Sequence, residues 1–446
     1  MKWHRSAAIL AGLTALVGSA AATGIGGGSA EASALNAPVR TKQVTNLSFW
    51  TFLPYGGNTP RGIALKQIVD GFNAANPEIH VSVRSINYAL IDEQVIRATE
   101  AGVGPAIVNI YTPQLGEHVA ANDILPLNNY AGTWLKAEGA NYDFPKGELT
   151  FGGKLMALAW EGRVWLLWYN KALLRGAGQP LPTKSWTLSK LISVGAAVRK
   201  HYGDKITGLA IGLSTGGLGA DFMEKFDPLL WSFGGSLLTP SGKANFASPA
   251  GVKAMEFIKS IVTEGAAGSE LLNLDADTVL SGFEAGTIAM AIEGSYLVST
   301  AETAAALSGG KMGTIEPPSE KPNVPLATAV DGQTLAIGRN TPNAGDSWKF
   351  IKYYLSPASQ LAMAKAGEVP VLRSVTRSAA FGKLPDSSEL RAWGDYMATS
   401  GRIMTYPANY NQLSNELVTA AQGIVYRNEP ILATLKSVAA QYNSGG

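Results

Sequence analysis

The feature that most constrains this chain is a repeated succession of strand-like and helix-like segments. "NLSFWTFL" alternates apolar residues and runs into a Pro/Gly loop, "RGIALKQIVDGFNAANPEI" has apolar residues at helical spacing, and "IHVSVRSI" alternates again. "AIVNIY" at 106–111 predicts a further short strand. Such alternation favours an α/β fold in which helices wrap a parallel sheet.

The same pattern continues through the second half. Thr187 is placed to cap a helix, "ITGLAIGL" reads as a strand, and "SPAGVKAMEFIKSIVTEG" reads as a helix that Ser248 caps and Gly265 ends. "QTLAIG" predicts another strand, and "AGDSWKFIKYYL" a helix that stops before Pro357. With 446 residues, 46% of them apolar, the chain is long enough for two domains.

The first 34 residues have the pattern of an export signal. Lys2 and Arg5 precede an Ala/Leu-rich stretch, and small residues suited to cleavage follow. A retained membrane anchor is the alternative, because residues 6–30 carry no charge, but their Gly-rich second half suits a spanning helix poorly. The chain has no cysteine, so it cannot carry a lipid on cysteine. We expect an exported, periplasmic protein.

Most signatures of other function classes are absent from the sequence. A net charge of +2 leaves no basic stripe for nucleic acid. The four histidines, His4, His80, His118 and His201, are scattered, so we expect no metal site, and no cofactor motif such as a Walker A loop occurs. "GLSTG" around Ser214 imitates a nucleophile elbow, but no histidine follows it.

Two alternatives stay open from the residues alone. Any two carboxylates could meet in space to hydrolyse a glycosidic bond, and Glu161 with Glu293 is the pair we would suspect. Arg61, Arg163 and Arg373 could instead converge on the phosphate of a polar solute such as glycerol phosphate.

Several predicted strand ends carry aromatic, carboxylate and glycine residues together: "FWTFLPYGG", "NIYTP", "LAWEGRVW", "LLWSFGG", "IEGSYL" and "AVDGQT". In open α/β sheets, ligands bind beyond the carboxyl ends of the strands. We therefore predict a buried strand at 288–292 that delivers residues 293–296 to a crevice. Aromatic faces and carboxylate acceptors suit a neutral polyol such as a sugar.

Segments along the whole mature chain resemble a known family. They include "GFNAANPEIHVSV", "AGVGPAIVNI", "GGKLMALAW", "FEAGTIAMAIEGSY" and "TLAIGRNTPNAGDSWKFIKYYLSPASQLAMAKAGEVPV". In order and spacing they are similar to the extracellular solute-binding proteins of family 1, the sugar-capturing components of ABC importers, which include maltose-binding protein.

The resemblance implies a two-lobed periplasmic binding protein fold, with a hinge between the α/β lobes and the ligand cleft between them. After an export signal at 1–34, the N-terminal lobe would comprise 35–157 and 313–355, and the C-terminal lobe 158–312 and 356–446. It also implies a monomeric receptor without enzymatic activity, whose partners are a sugar and the transmembrane subunits of an importer with their ATPase.

Carried over onto this sequence, the family pattern predicts ligand-binding residues at strand ends and loops. They are Trp50, Phe52, Tyr55, Tyr111, Trp160, Glu161, Trp231, Glu293, Tyr296, Asp331, Gly332 and Arg373. The chain departs from the pattern at Ala106, Tyr296 and Asp331, where the family usually has Asp, Trp and Gly. These departures leave the identity of the sugar open.

Overall fold

The largest sheet in the computed structural model has six strands. The structure describes residues 44–445 except 217–219, 405 and 408. The predicted export signal at 1–34 lies outside the described residues. Residues 44–446 form one compact unit, and within its described part no helix is both long and apolar enough to cross a membrane.

Strands and helices alternate along most of this unit. The strands are β1 (Thr45–Thr51), β2 (Ile79–Ser85), β3 (Ile107–Tyr111), β4 (Ile124–Leu125), β5 (Thr150–Phe151), β6 (Lys154–Leu155), β7 (Leu158–Ala159), β8 (Glu161–Gly162), β9 (Trp165–Asn170), β10 (Met290–Gly294), β11 (Met312–Ile315), β12 (Thr328–Val330), β13 (Gln333–Gly338), β14 (Val369–Pro370) and β15 (Gly401–Ile403). The helices are α1 (Pro60–Ala75), α2 (Ile91–Glu100), α3 (Leu115–Ala121), α4 (Asn128–Glu138), α5 (Lys171–Gly176), α6 (Leu188–Tyr202), α7 (Ala220–Ser232), α8 (Pro249–Thr263), α9 (Ala276–Glu284), α10 (Ala301–Ser308), α11 (Ala344–Tyr354), α12 (Pro357–Ala364), α13 (Arg373–Thr376), α14 (Ser387–Ser400), α15 (Tyr410–Tyr426) and α16 (Ile431–Ser444).

The six-stranded sheet is mixed, in the order β2-β1-β3-β13-β4, with β7 also paired to β13. β1 is parallel to β2 and β3, as predicted. The expectation of a wholly parallel sheet is wrong for β13, which runs antiparallel to β3 with Gln333 opposite Tyr111. β13 returns from a distant part of the chain instead of through a strand-helix-strand crossover. Its first residues therefore lie beside the carboxyl end of β3.

A second sheet has three antiparallel strands in the order β10-β9-β11. β10 covers Met290–Gly294, so the strand predicted at 288–292 is displaced by two residues. "ITGLAIGL" forms only isolated bridges, Thr207 to Ile288 and Ala210 to Ala291, where a strand was predicted. These bridges extend β10 on the side away from β9.

Helix starts follow the predicted capping residues. Thr187 Oγ1 accepts a hydrogen bond from the Lys190 backbone N–H at the start of α6, and Ser248 Oγ accepts from Gly251 N–H at the start of α8. Gly265, two residues after α8, has a φ of +83°, a conformation that favours glycine. The predicted start of α6 and both predicted limits of α8 are therefore confirmed. Such signals can be read from the sequence because they act within one helical turn.

Buried apolar side chains form two clusters. The first surrounds the six-stranded sheet, and the second packs α6, α7, α8, α15 and α16 against the face of the smaller sheet that carries Trp165 and Leu167. After Ser356 the chain contributes to both: Met363 and Trp393 belong to the first cluster and Leu417 to the second. The exact lobe boundaries given above stay a prediction.

Candidate functional site

A hydroxyl at the carboxyl end of β3 connects two acidic side chains from distant elements. Tyr111 Oη lies 2.5 Å from Oδ2 of Asp331, in the turn before β13, and also contacts Oε1 of Glu224 on α7. All three side chains are buried. Since a phenol has one proton to donate, the second contact requires a protonated carboxyl that donates to the hydroxyl oxygen.

The environment of these two carboxyls keeps a proton among them. Burial raises the pKa of Asp331 to about 7, although Arg163 and the hydrogen bond from Tyr111 oppose the rise. Burial, with the nearby Asp331 and Asp221 carboxylates, raises the pKa of Glu224 well above its usual range. Near neutral pH the pair therefore holds a proton, which satisfies the second contact of Tyr111.

Arg163, between β8 and β9, is a cation that acts on Asp331. Its guanidinium carbon lies 5.2 Å from the ring centre of Tyr111 and 5.3 Å from that of Tyr296, a geometry suited to cation–π attraction. Its backbone N–H donates to the Asp331 carbonyl at 2.8 Å. One cation thus lies against aromatic rings that follow strands of the two different sheets.

The end of β10 carries a second buried charged group. Glu293 Oε1 accepts hydrogen bonds from the Tyr296 hydroxyl at 2.6 Å and from Gly294 N–H at 3.1 Å. Its Oε2 lies 3.0 Å from Lys225 Nζ, and this buried lysine also contacts Asp221. Burial and the Asp221 carboxylate raise the pKa of Glu293 to about 8, against the opposing effects of Lys225 and Tyr296.

Glu161 and Glu368 form a third group, through the pairing of β8 with β14. Burial raises the pKa of Glu161 well above its usual range. Burial alone would also raise that of Glu368, but Arg61 and a hydrogen bond from Glu161 lower it. The opposite pKa shifts of the two carboxyls therefore place the proton on Glu161 and the negative charge on Glu368. A Cβ at residue 332 would meet the Glu161 carbonyl at 2.1 Å, which explains Gly332.

These three groups are linked through Arg163, whose Nε lies 2.7 Å from Glu161 Oε1, and through neighbouring positions on α7. We call them the central cluster. It consists of the carboxyls of Glu161, Asp221, Glu224, Glu293, Asp331 and Glu368, the cations Arg61, Arg163 and Lys225, and the tyrosines Tyr111 and Tyr296.

Five of the twelve predicted site residues have side chains in this cluster, namely Tyr111, Glu161, Glu293, Tyr296 and Asp331, and Gly332 adjoins it. Glu161 and Glu293, the suspected hydrolytic pair, have different partners within it: Glu161 faces Glu368 and Arg163, whereas Glu293 faces Lys225 and Tyr296.

The three predicted aromatic residues at the end of β1 and in the loop after it have other contacts. Trp50 is buried under the Arg84 guanidinium, 4.3 Å from the ring centre. Phe52 packs edge-on against Tyr88. Tyr55 is exposed, and its hydroxyl donates to Asp70 on α1 at 2.9 Å. Tyr55 therefore lies on the surface of α1, away from the groups that Tyr111 contacts.

The remaining predicted residues also have partners outside the central cluster. Trp160 is a core residue: its indole N–H donates to Asn109 and its ring packs on Tyr354. Trp231 is half-buried with Arg402 over its ring. Arg373 is exposed and forms an ion pair with Asp143.

Glu368 and the charged residues of α7 are the parts of the cluster that sequence reasoning missed. "DFMEKFDPLL" at 221–230 places four charged residues among side chains that are otherwise apolar and buried. Asp221 and Lys225 lie one turn apart, and Glu224 and Lys225 are both buried. Charged residues are rarely buried unless paired, so their insertion into an apolar helix was the available signal.

Several buried polar atoms around the cluster have no hydrogen-bond partner among the described residues. They include Asp331 Oδ1, Gln333 Nε2, the Tyr410 hydroxyl and both carboxyl oxygens of Asp227. Burial raises the pKa of Asp227 to about 8. Among the described residues no group of three potential metal ligands comes together. The buried polar atoms without a partner among the described residues can offer hydrogen bonds to a polar molecule.

The sequence is related to known binding proteins. The profile of a family described as "Bacterial extracellular solute-binding protein" matches residues 55–361. A "Probable ABC transporter-binding protein" of Deinococcus radiodurans is 24% identical over 315 residues, which cover 67% of this chain and 71% of that protein.

Solved structures have the same fold. Maltose-bound MalE3 of T. maritima superposes with a TM-score of 0.74 at 20% identity, over 90% of this chain and 100% of the other. A solute-binding protein of Thermotoga lettingae bound with α-D-tagatose gives 0.77 at 20% identity, over 90% and 99%. UgpB of Mycobacterium tuberculosis with glycerophosphocholine gives 0.74 at 18%, over 90% and 98%. The chain has the two-lobed periplasmic binding protein fold and belongs to the bacterial extracellular solute-binding protein family, whose members bind substrates and are not enzymes.

Proposed function

We propose that this protein is the receptor of an ABC importer, which captures a carbohydrate in the central cluster and delivers it to membrane subunits. The observation that carries the proposal is the contact of the Tyr111 hydroxyl with both Asp331 and Glu224. It joins the end of a strand in the larger sheet to a helix of the second apolar cluster. Carboxylates, hydroxyls and aromatic rings are the groups that pair with sugar hydroxyls and cover sugar C–H faces.

The same contact supports our proposal that the two lobes close around the ligand. Tyr111 and Glu224 are 113 residues apart in the chain and lie on elements that a hinge motion would separate. In an open form these polar groups would face water, and a ligand would take over their hydrogen bonds when the lobes close. The ligand drives closure only as far as it binds the closed state more tightly than the open one.

A phosphorylated solute such as glycerol phosphate is the weaker candidate. Arg61 pairs with Glu368, and Arg163 lies against Glu161. Arg373 is paired with Asp143 outside the cluster. A phosphate site would need two or more convergent arginines, and here each of the three already faces a carboxylate.

The cellular setting is part of the proposal. Residues 1–34 would direct export, and the mature receptor would act as a monomer in the periplasm, without a lipid on cysteine. The closed form would be recognised by the transmembrane subunits with their ATPase. Cell fractionation and size-exclusion chromatography with light scattering test these statements; a protein found in the membrane fraction would contradict them.

The test of the binding function is a calorimetric and thermal-shift panel of mono-, di- and oligosaccharides, polyols and their phosphates. A ligand at about 100 times its dissociation constant should add roughly 2.7 kcal/mol to the free energy of unfolding. Tyr111→Phe removes the bridging hydroxyl and should raise the Kd of a bound sugar by about tenfold.

Tyr202→Phe is the matched control, because Tyr202 is half-buried at the end of α6 and packs on His201. Its Kd should equal that of the unaltered protein. Binding of no carbohydrate in the panel, or equal Kd values for Tyr111→Phe and Tyr202→Phe, would refute the proposed site.

A further inference from the structure

The central cluster contains more acidic groups than basic ones. Six carboxyls, as defined above, face three cations. If all were ionised, the buried cluster would carry a net charge of −3, and burying uncompensated charge is unfavourable. Burial raises the pKa of Glu161 and of Glu224, and the protons that these carboxyls hold compensate for the missing positive charge.

Part of this acidic surplus is left without hydrogen bonds. Asp331 is fully buried, and while its Oδ2 contacts Tyr111, its Oδ1 has no partner among the described residues. Asp227 on α7, outside the cluster, is also fully buried, and neither of its carboxyl oxygens has a partner among the described residues. Tyr111 Oη contacts both Asp331 and Glu224, which places these two acids of the cluster around one hydroxyl.

This surplus is not explained by a metal. Within the described part of the chain, His, Asp and Glu side chains nowhere form a group of three with metal-binding geometry. An anionic ligand would add negative charge to the surplus, and a neutral sugar would leave it unchanged. A ligand with a positive charge would replace the compensating protons, and its N–H donors would pair with the free carboxyl oxygens.

We propose that the central cluster selects a carbohydrate that carries a basic nitrogen, an amino sugar, over its neutral and phosphorylated counterparts. This inference rests on the proposed function and narrows its substrate class. The ammonium group would contact Asp331 Oδ1 and the neighbouring Glu224, while the hydroxyls of the sugar would bind the remaining polar groups.

The test compares ligands that differ only in charge. Isothermal titration calorimetry would measure the Kd of glucosamine, glucose and glucose 6-phosphate, and that of the β-1,4-linked glucosamine dimer against cellobiose. The amine should bind at least about tenfold more tightly than its neutral twin, which corresponds to one charge-assisted hydrogen bond. The phosphate should bind most weakly of the three.

A substitution at Asp331 tests whether this residue causes the preference for an amino sugar over a neutral sugar. Asp331→Asn keeps the shape of the side chain but removes its charge, and should reduce the preference for amine over neutral sugar by about tenfold. Asp346→Asn is the matched control, because Asp346 is a surface residue paired with Lys349 on α11. It should leave the preference unchanged.

The outcomes separate the two proposals. If neutral sugars bind as tightly as their amines, or the phosphate binds best, the inference is wrong while carbohydrate or solute binding stands. If an amine preference survives Asp331→Asn unchanged, the assignment to this cluster is wrong. If none of these carbohydrates binds, charged or neutral, and the wider panel is also silent, the proposed function fails and the inference with it.

Discussion

Two regions of this protein bury ionisable groups, and they do so in opposite ways. In the first, His118 on α3 is fully buried between two carboxylates: Nδ1 lies 2.7 Å from Asp123 and Nε2 lies 3.0 Å from Asp92. Both ring nitrogens have a partner. In the second, the central cluster, six carboxyls compete for three cations, and Asp331 Oδ1 has no partner among the described residues.

The difference appears in the protons that each region holds. Burial alone would lower the pKa of His118, but hydrogen bonds to Asp123 and Asp92 raise it to about 10. His118 therefore stays charged under ordinary conditions. Asp331 and Glu293, with pKa values raised to about 7 and 8, exchange protons near neutrality. A buried charge with matched partners stabilises the fold, whereas unmatched acids are available to a ligand.

The largest expected effect is the loss of stability when the buried cation His118 is removed. His118→Ala removes the cation and leaves two carboxylates facing each other in the core, which should lower the free energy of unfolding by about 3 kcal/mol. Urea unfolding followed by circular dichroism measures it. His201→Ala, at the exposed end of α6, is the control and should change it by less than about 0.5 kcal/mol. A loss below about 1 kcal/mol for His118→Ala would show that the imidazolium is not essential to the core.

The second prediction concerns pH. A carboxyl whose pKa is raised on folding stabilises the fold fully below its unfolded pKa and loses that contribution as pH rises through its folded pKa. The ligand-free protein should therefore lose stability from about pH 4 to pH 8 through Asp331 and Glu293. The His118 contribution, by the same rule for a raised pKa, is lost only between about pH 6.5 and pH 10.

Substitutions can show which residues cause the loss of stability in each of the two pH ranges. Asp331→Asn or Glu293→Gln should flatten the slope of unfolding free energy between pH 4 and 8 and leave the upper window in place. His118→Ala should remove the loss of stability between about pH 6.5 and pH 10. Chemical denaturation at half-unit pH intervals measures both slopes. If the free energy of unfolding of Asp331→Asn fell more steeply between pH 4 and 8 than that of the unaltered protein, Asp331 would not be the cause of the loss in this range.

The smallest effect is expected at Arg373, which the family pattern placed in the ligand site. Its ion pair with Asp143 is 46% and 29% exposed at the two side chains, so solvent screens it. Arg373→Ala should change the free energy of unfolding by at most about 1 kcal/mol and leave the Kd of any bound sugar unaltered. A large loss of binding in Arg373→Ala would show that Arg373 belongs to the ligand site.

Local signals predicted much of the secondary structure. The caps at Thr187 and Ser248, the strands β3 and β13 and the end of α11 lie where the sequence placed them, because a cap or an alternating pattern depends on residues within one or two turns. "ITGLAIGL" was predicted to be a strand, but it forms only isolated bridges. Its apolar residues are buried, but it meets β10 and the residues before that strand only through two isolated bridges.

The candidate site was predicted in part. Residues at strand ends, such as Tyr111, Glu293 and Asp331, could be found because strand ends of an α/β fold converge. Trp160 follows the same pattern but packs into the core on Tyr354. Glu224 lies within a helix and meets Tyr111 across 113 residues, which no local pattern encodes. Whether these residues bind the ligand stays a prediction.

The amino-acid sequence by itself determined the α/β alternation, the helix limits and the membership of a solute-binding family, because each depends on short-range patterns or on their order along the chain. Only the tertiary structure decided that β13 runs antiparallel to β3, and hence that Asp331 lies beside Tyr111. It also decided which buried acids have a cation and which do not. The physical reason is that strand pairing and burial depend on contacts between residues distant in the chain, such as Tyr111 with Asp331, which packing selects.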